Sequence, residues 1–139
     1  MISFNSLQEG FELQNPKEIK TWLRKIIQKE HQKLEGEIQY VFTDDDILSS
    51  INKDFLNHDT LTDIITFDTS MEEDVISGEI YLSIERIREN AASQHQPFER
   101  ELARVLVHGI LHLIGFNDES PDEKAVMRTQ EDYCLNLLP

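Results

Sequence analysis

The chain has a single cysteine, Cys134, among 139 residues. It cannot close an internal disulfide, and near the end of the last predicted helix it reads as a small packed residue rather than a nucleophile. No apolar run approaches the ~20 residues that a membrane-spanning helix needs. The first ten residues, MISFNSLQEG, have neither the basic start nor the apolar core of a secretory leader, so the expectation is a cytoplasmic protein without a membrane partner. Basic residues are also scarce: 13 Lys and Arg stand against 27 Asp and Glu, a net charge of −14. Residues 1–41 carry six of each sign, while residues 42–139 carry seven basic and twenty-one acidic residues. This excludes a protein that grips phosphate over its whole surface. Any contact with nucleic acid has to be local, use a metal, or be organised by a partner.

What is present is an ordinary globular composition, 39% hydrophobic and 29% charged, with no repeat, linker or low-complexity stretch. Residues 1–139 therefore read as one domain with a real core. Met1 to Leu13 reads as a short hairpin or two edge strands broken at Gln8-Glu9-Gly10. Asn15-Pro16 opens a helix, with asparagine as N-cap and proline at the first helical position. Its core face is Ile19, Trp22, Leu23, Ile26 and Ile27. Lys17, Lys20 and Arg24 form a basic stripe, solvated or available to RNA or a ribosomal partner. Glu35 to Thr43 alternates Ile38, Tyr40 and Phe42 with polar residues, the period of a strand. Asp44 to Asp46 precede a helical stretch and read as capping acids rather than metal ligands. Thr62 to Thr69 and Ser77 to Ile84 are β-rich runs joined by an acidic turn. Helices follow over Ser83 to His95, from Phe98 or Glu99 onward, and after Ser120-Pro121, the last with Met127, Tyr133, Leu135 and Leu138 on its apolar side.

The stretch from Glu101 to Asp118, ELARVLVHGILHLIGFND, carries the chemistry. At about 100° per residue, Glu101, Arg104, His108 and His112 share one polar stripe of an otherwise apolar helix. Histidines at i and i+4 are neighbours and can reach one ion at about 2.0–2.1 Å. Gly115 follows where a left-handed cap would end the helix, and the turn back brings Asp118 towards the same point. The pattern His-x3-His-x5-Asp predicts a metal site of two imidazoles and a carboxylate, with a further position open for water as in catalytic zinc centres. Such an ion acidifies bound water and neutralises charge on a phosphate or carbonyl oxygen. A carboxylate beside the two imidazoles widens the choice from zinc towards manganese or similar ions. Gly109 stands where a His-Glu-x-x-His peptidase places its general base, and reads as open space beside the metal. Glu79 is a candidate partner for a ligand histidine.

The string HGILHLIGFND resembles the signature of the YbeY family of bacterial metal-dependent endoribonucleases, His-Gly-x-Leu-His-Leu-x-Gly-(Tyr/Phe)-Asp-His. The match runs through His108, Gly109, Leu111, His112, Leu113, Gly115 and Phe116. Asn117 replaces the family's aspartate, and Asp118 stands where the third histidine belongs. Asn52, then Thr62 to Phe67, then Gly78, Glu79 and Ile80, extend the likeness over roughly residues 51–118. Leu56 occupies the place of a family arginine that serves the RNA, which leaves His58, Arg86 or Arg104 to contact phosphate. Arg104 is best placed, one turn before His108, against the competing reading of a surface pair with Glu101. The resemblance implies an α+β fold: a mixed sheet of about four strands, helices packed on it, and the His108 helix at the centre. It implies a zinc-dependent endoribonuclease cutting single-stranded ribosomal RNA precursor, in 16S rRNA 3′ end maturation and ribosome quality control, with the small ribosomal subunit and its proteins as partners. His108 and His112, with Arg104, are then catalytic, and His108, His112 and Asp118 hold the metal. The alternatives are a metallopeptidase-like hydrolase and a non-catalytic ribosome-assembly factor with a structural metal.

Overall fold

The computed structural model of the protein describes residues 1–56 and 62–139, and shows an α+β domain built on a four-stranded mixed sheet. The strands are β1 (Ile2–Ser6), β2 (Leu34–Thr43), β3 (Ile64–Asp68) and β4 (Val75–Ser83), in the order β1-β2-β4-β3. β1 and β4 run parallel to β2, and β3 closes the far edge antiparallel to β4. Among the described residues five α-helices accompany them: α1 (Pro16–Lys25), α2 (Asp45–Leu56), α3 (Ile84–Ser93), α4 (Phe98–Ile114) and α5 (Pro121–Asn136). The alternation in β2 is realised as expected. Ile38, Tyr40 and Phe42 are buried on one face, and Tyr40 additionally donates its hydroxyl to the Leu106 carbonyl of α4 at 2.6 Å.

The amino-terminal segment departs from the expected hairpin or pair of edge strands. It forms one edge strand, in register Ile2 to Ile38 and Phe4 to Tyr40, because the break at Gly10 (φ 81°) sends the chain out into α1 rather than back along β1. The parallel pairing then follows from the helical crossover. Asn15 precedes α1 but does not cap it: its backbone is left-handed (φ 53°, ψ 50°) instead of extended, and its side chain accepts no bond from the first turn. α1 runs on into a π-helical turn, Ile26–Glu30, that keeps Ile26 and Ile27 in the core. Of the three acids before α2, Asp44 is the cap, accepting from the Ile47 amide at 2.9 Å. Asp45 instead binds the Ser83 hydroxyl at 2.7 Å and Arg86 at 2.8 Å, tying α2 to the start of α3. At α5 the Ser120 side chain and Glu123 form a reciprocal capping box. Met127 and Leu135 are buried as expected, whereas Tyr133 is half exposed and donates to Glu30. Cys134 is fully buried, its carbonyl accepts the Trp22 indole N–H at 2.8 Å, and burial pushes its thiol pKa up to about 12. No helix among the described residues is long and apolar enough to cross a membrane.

Candidate metal centre

α4 is the central helix, and its two sides follow different rules. Leu102, Leu106, Ile110 and Leu113 are buried in the core. Gly109 belongs with them. A Cβ there would lie 2.9 Å from Ile80 Cδ1 and 3.3 Å from Ile64 Cδ1, so the glycine lets the helix press onto β4 and β3. This corrects the expectation that Gly109 leaves room beside the metal: the space it leaves is filled by the sheet.

The opposite side carries Glu101, Arg104, His108 and His112. Ile114 ends the helix, and Gly115 adopts φ 129°, with the Phe116 amide reaching back to the Leu111 carbonyl at 3.0 Å. This is the Schellman reversal, which needs a residue free of a Cβ. It returns the chain so that Asp118 Oδ2 lies 3.2 Å from His108 Nε2 and 3.4 Å from His112 Nε2. The two imidazole rings stand 4.8 Å apart at 77°. Ligand atoms bound at about 2.0–2.1 Å around a tetrahedral ion are separated by about 3.3–3.4 Å. His108, His112 and Asp118 therefore have both the donor types and the spacing for one divalent cation, and they are the only such group of three among the described residues.

Behind the ligands stands a residue that the sequence reading missed. Glu131 of α5 is 5% exposed, and its Oε2 lies 2.6 Å from His108 Nδ1. In the neutral ring a proton on Nδ1 donates to this carboxylate, which leaves Nε2, on the Asp118 side, free to bind a metal. Burial works against charging His108, but the hydrogen bond and negative charge of Glu131, with Asp118 and Asp63 beyond it, prevail and hold its pKa above the ordinary histidine value. Glu79, the partner expected from sequence, accepts instead from Tyr81 at 2.9 Å. A carboxylate inside the apolar Met127, Glu131, Leu135 stripe of α5 was the available signal.

Arg104 does not pair with Glu101. Its guanidinium reaches Glu131 Oε1 at 3.1 Å and Asp132 Oδ1 at 2.8 Å, so it holds the carboxylate that holds His108. Arg86 is taken up by Asp45 and Glu89. His58 lies outside the described residues, as does the side chain of Leu56. Asp63 and Glu101 face the same region from β3's approach and from α4. Burial raises both carboxyl groups, against the pull of His108 on Asp63 and of Arg104 and Arg128 on Glu101.

The family model described as Endoribonuclease YbeY matches residues 3–139. The chain belongs to the YbeY family. Proteins named Endoribonuclease YbeY from Flavobacterium psychrophilum, Cytophaga hutchinsonii and Phocaeicola vulgatus are 48%, 46% and 41% identical to it. These alignments cover 98–99% of this chain and 94–99% of the relatives. The solution structure of TM1509 from Thermotoga maritima superposes with a TM-score of 0.68 at 30% identity, over 99% of this chain and 89% of that one. The YbeY likeness thus extends well beyond the middle half of the sequence that carries its recognisable motifs, through β1 and α5. That reach includes Glu131, outside every motif quoted for the resemblance.

Proposed function

We propose that this YbeY-family protein is a divalent-metal-dependent endoribonuclease, a hydrolase of one domain over residues 1–139 that cuts single-stranded RNA. The observation that carries the reading is the cluster of His108, His112 and Asp118, backed by Glu131, in a chain whose relatives bear the name Endoribonuclease YbeY. We take zinc as the ion, with manganese the alternative that the aspartate ligand favours. When bound, such an ion supplies charge neutralisation at a phosphate oxygen and acidification of water.

The protein's own residues do the rest. His108, His112 and Asp118 would hold the ion from one side, which leaves the other side for substrate. Glu131 keeps the proton on His108 Nδ1, and Arg104 keeps Glu131 in place. Since Glu131 and Asp132 both neutralise the Arg104 guanidinium, we assign it as a positioning residue rather than a phosphate clamp. The peptidase alternative finds no support at Gly109, where a carboxylate side chain would have to displace Ile80. Ribosomal RNA precursor as substrate, the small ribosomal subunit as partner, and a cytoplasmic setting complete the proposal. The net charge of −14 supports a partner that organises the RNA, because the chain cannot attract it over long range.

The test is incubation of metal-loaded protein with single-stranded RNA, duplex RNA and an unfolded polypeptide, beside a chelator control. Cleavage of the single strand alone, abolished by chelator and by His112→Ala, is the expected result. Cleavage of polypeptide with RNA left whole would overturn the reading.

A further inference from the structure

Next to the metal ligands, on the Nδ1 side of His108, lies a half-open cavity of about 150 Å³ between α3, α4, α5 and the start of β3. A cavity of this size holds a benzene-sized ring, so a purine would enter it by the six-membered ring and leave the five-membered ring in the half-open mouth. Glu101 and Val105 of α4 and Glu131 of α5, 6%, 5% and 5% exposed, are its most buried lining residues. Ile64 adds a second apolar wall, Asp63 lies beside it, and the exposed Gln94 and Arg128 contribute a neutral amide and a guanidinium. Glu131 is committed to His108 and Arg104, and Asp63 is held by the Asn90 side chain. Glu101 is different: among the described residues it accepts no hydrogen bond and makes no ion pair, although it is almost completely buried. Its carboxylate oxygens are not among the enclosed unpartnered atoms; they feel Arg104 and Arg128 only beyond ion-pair distance, and they line an opening large enough for a ligand.

The chemistry of the walls narrows that ligand. Three carboxylates disfavour a phosphate. Arg104 and Arg128 disfavour a cation, and these carboxylates do not form a group of ligand atoms close enough for one. A neutral, flat group with hydrogen-bond donors remains, flanked by Val105 and Ile64. Single-stranded RNA presents such groups, since its unstacked bases are read along their edges. Guanine alone among the four bases places two donors side by side, N1–H and the N2 amino group, where one carboxylate can accept both. Its O6 and N7 are acceptors that suit an arginine.

We propose that this cavity is a guanine-binding subsite, in which Glu101 accepts from the N1–H and N2 amino group and Arg128 donates to the O6/N7 edge. The inference rests on the RNA-cleaving reading above and adds to it a base preference next to the scissile phosphate. No phosphate is needed to occupy the subsite, so the unphosphorylated nucleoside is a sufficient probe.

The experiment is titration of the folded protein, with chelator present, with guanosine, inosine, adenosine and uridine, followed by amide chemical shifts, together with sequencing of the fragments that the metal-loaded protein produces from random single-stranded RNA. Guanosine should move the signals of Glu101, Val105, Gln94 and Arg128. Inosine, which lacks the N2 amino group, should bind at least about tenfold more weakly, the scale of one good bidentate base contact. Glu101→Gln should cost guanosine a similar factor, and Arg128→Ala, at an exposed position that leaves the core untouched, should also weaken it. Fragment ends should be enriched in guanine at one fixed position, and Glu101→Gln should flatten that enrichment while the melting temperature and metal content stay near wild type. RNA cut without base bias, with guanosine and uridine giving equal or no shifts at these residues, would overturn the subsite and leave the nuclease reading intact. Guanosine-selective shifts without RNA cleavage would support the subsite as a binding site and overturn the nuclease reading instead.

Discussion

The two sides of α4 are folded by the same seventeen residues and answer to different physics. Towards the sheet, Leu106, Ile110 and Gly109 need only shape, since any apolar surface of the right volume buries there with similar benefit. Towards α5, a chain of polar groups requires particular partners. His108 needs Glu131, Glu131 needs Arg104, and Arg104 also takes Asp132. The first side makes the helix, and the second makes it useful. The difference teaches that stability and metal affinity should be separable by substitutions on the two sides of this one helix.

The largest expected effect is on the sheet side. Ile110→Ala removes a fully buried side chain and should cost about 2–5 kcal/mol of unfolding free energy, read by denaturant titration. Metal affinity of the protein that remains folded should hardly change. A smaller effect, of the other kind, is expected from Glu131→Gln. Loss of the carboxylate behind a ligand histidine should weaken metal binding about 10–100-fold by competition with a chromophoric chelator. If Ile110→Ala weakened the metal as much as Glu131→Gln does, the two sides would not be independent.

The smallest effect sharpens the comparison through pH. His108 has a raised pKa in the folded protein, so its contact with Glu131 contributes fully below the unfolded value of about 6.5 and is lost as pH rises through the folded value. The chelated wild-type protein should therefore lose part of its stability margin over Glu131→Gln as pH rises above about 6.5. Ile110→Ala, whose cost does not involve a titrating group, should keep a constant margin over the same range.

The same division explains what could be read from the sequence. The sheet side was legible because burial imposes a period: Ile38, Tyr40 and Phe42 announce β2, and Leu106, Ile110 and Leu113 announce α4. His108, His112, Gly115 and Asp118 were legible because ligand spacing and the helix reversal are local, all within eleven residues. Glu131 was not, because it meets His108 across 23 residues of chain and only the packing of α5 on α4 brings them together. Arg104 was placed on the right stripe but given the wrong neighbour for the same reason. Gly109 shows the converse error. Its adjacency to His108 suggested a role at the metal, yet one residue along a helix is a rotation of about 100°, which carries it from the metal side to Ile80. The π-helical turn after α1 was not legible, since Ile26 and Ile27 extend the apolar face of α1 in either kind of helix and the polar residues that follow do not distinguish them.

The central claim is that two imidazoles and the Asp118 carboxylate hold one metal ion, and X-ray absorption of the zinc-loaded protein tests it most directly. The account predicts one zinc per chain with two imidazole nitrogens and oxygen ligands at about 2.0–2.2 Å. Asp118→His should convert the spectrum to three imidazoles, and Asp118→Ala should weaken retention of the ion on dialysis. A wild-type spectrum with fewer than two imidazoles, or one unchanged in both Asp118 variants, would contradict it.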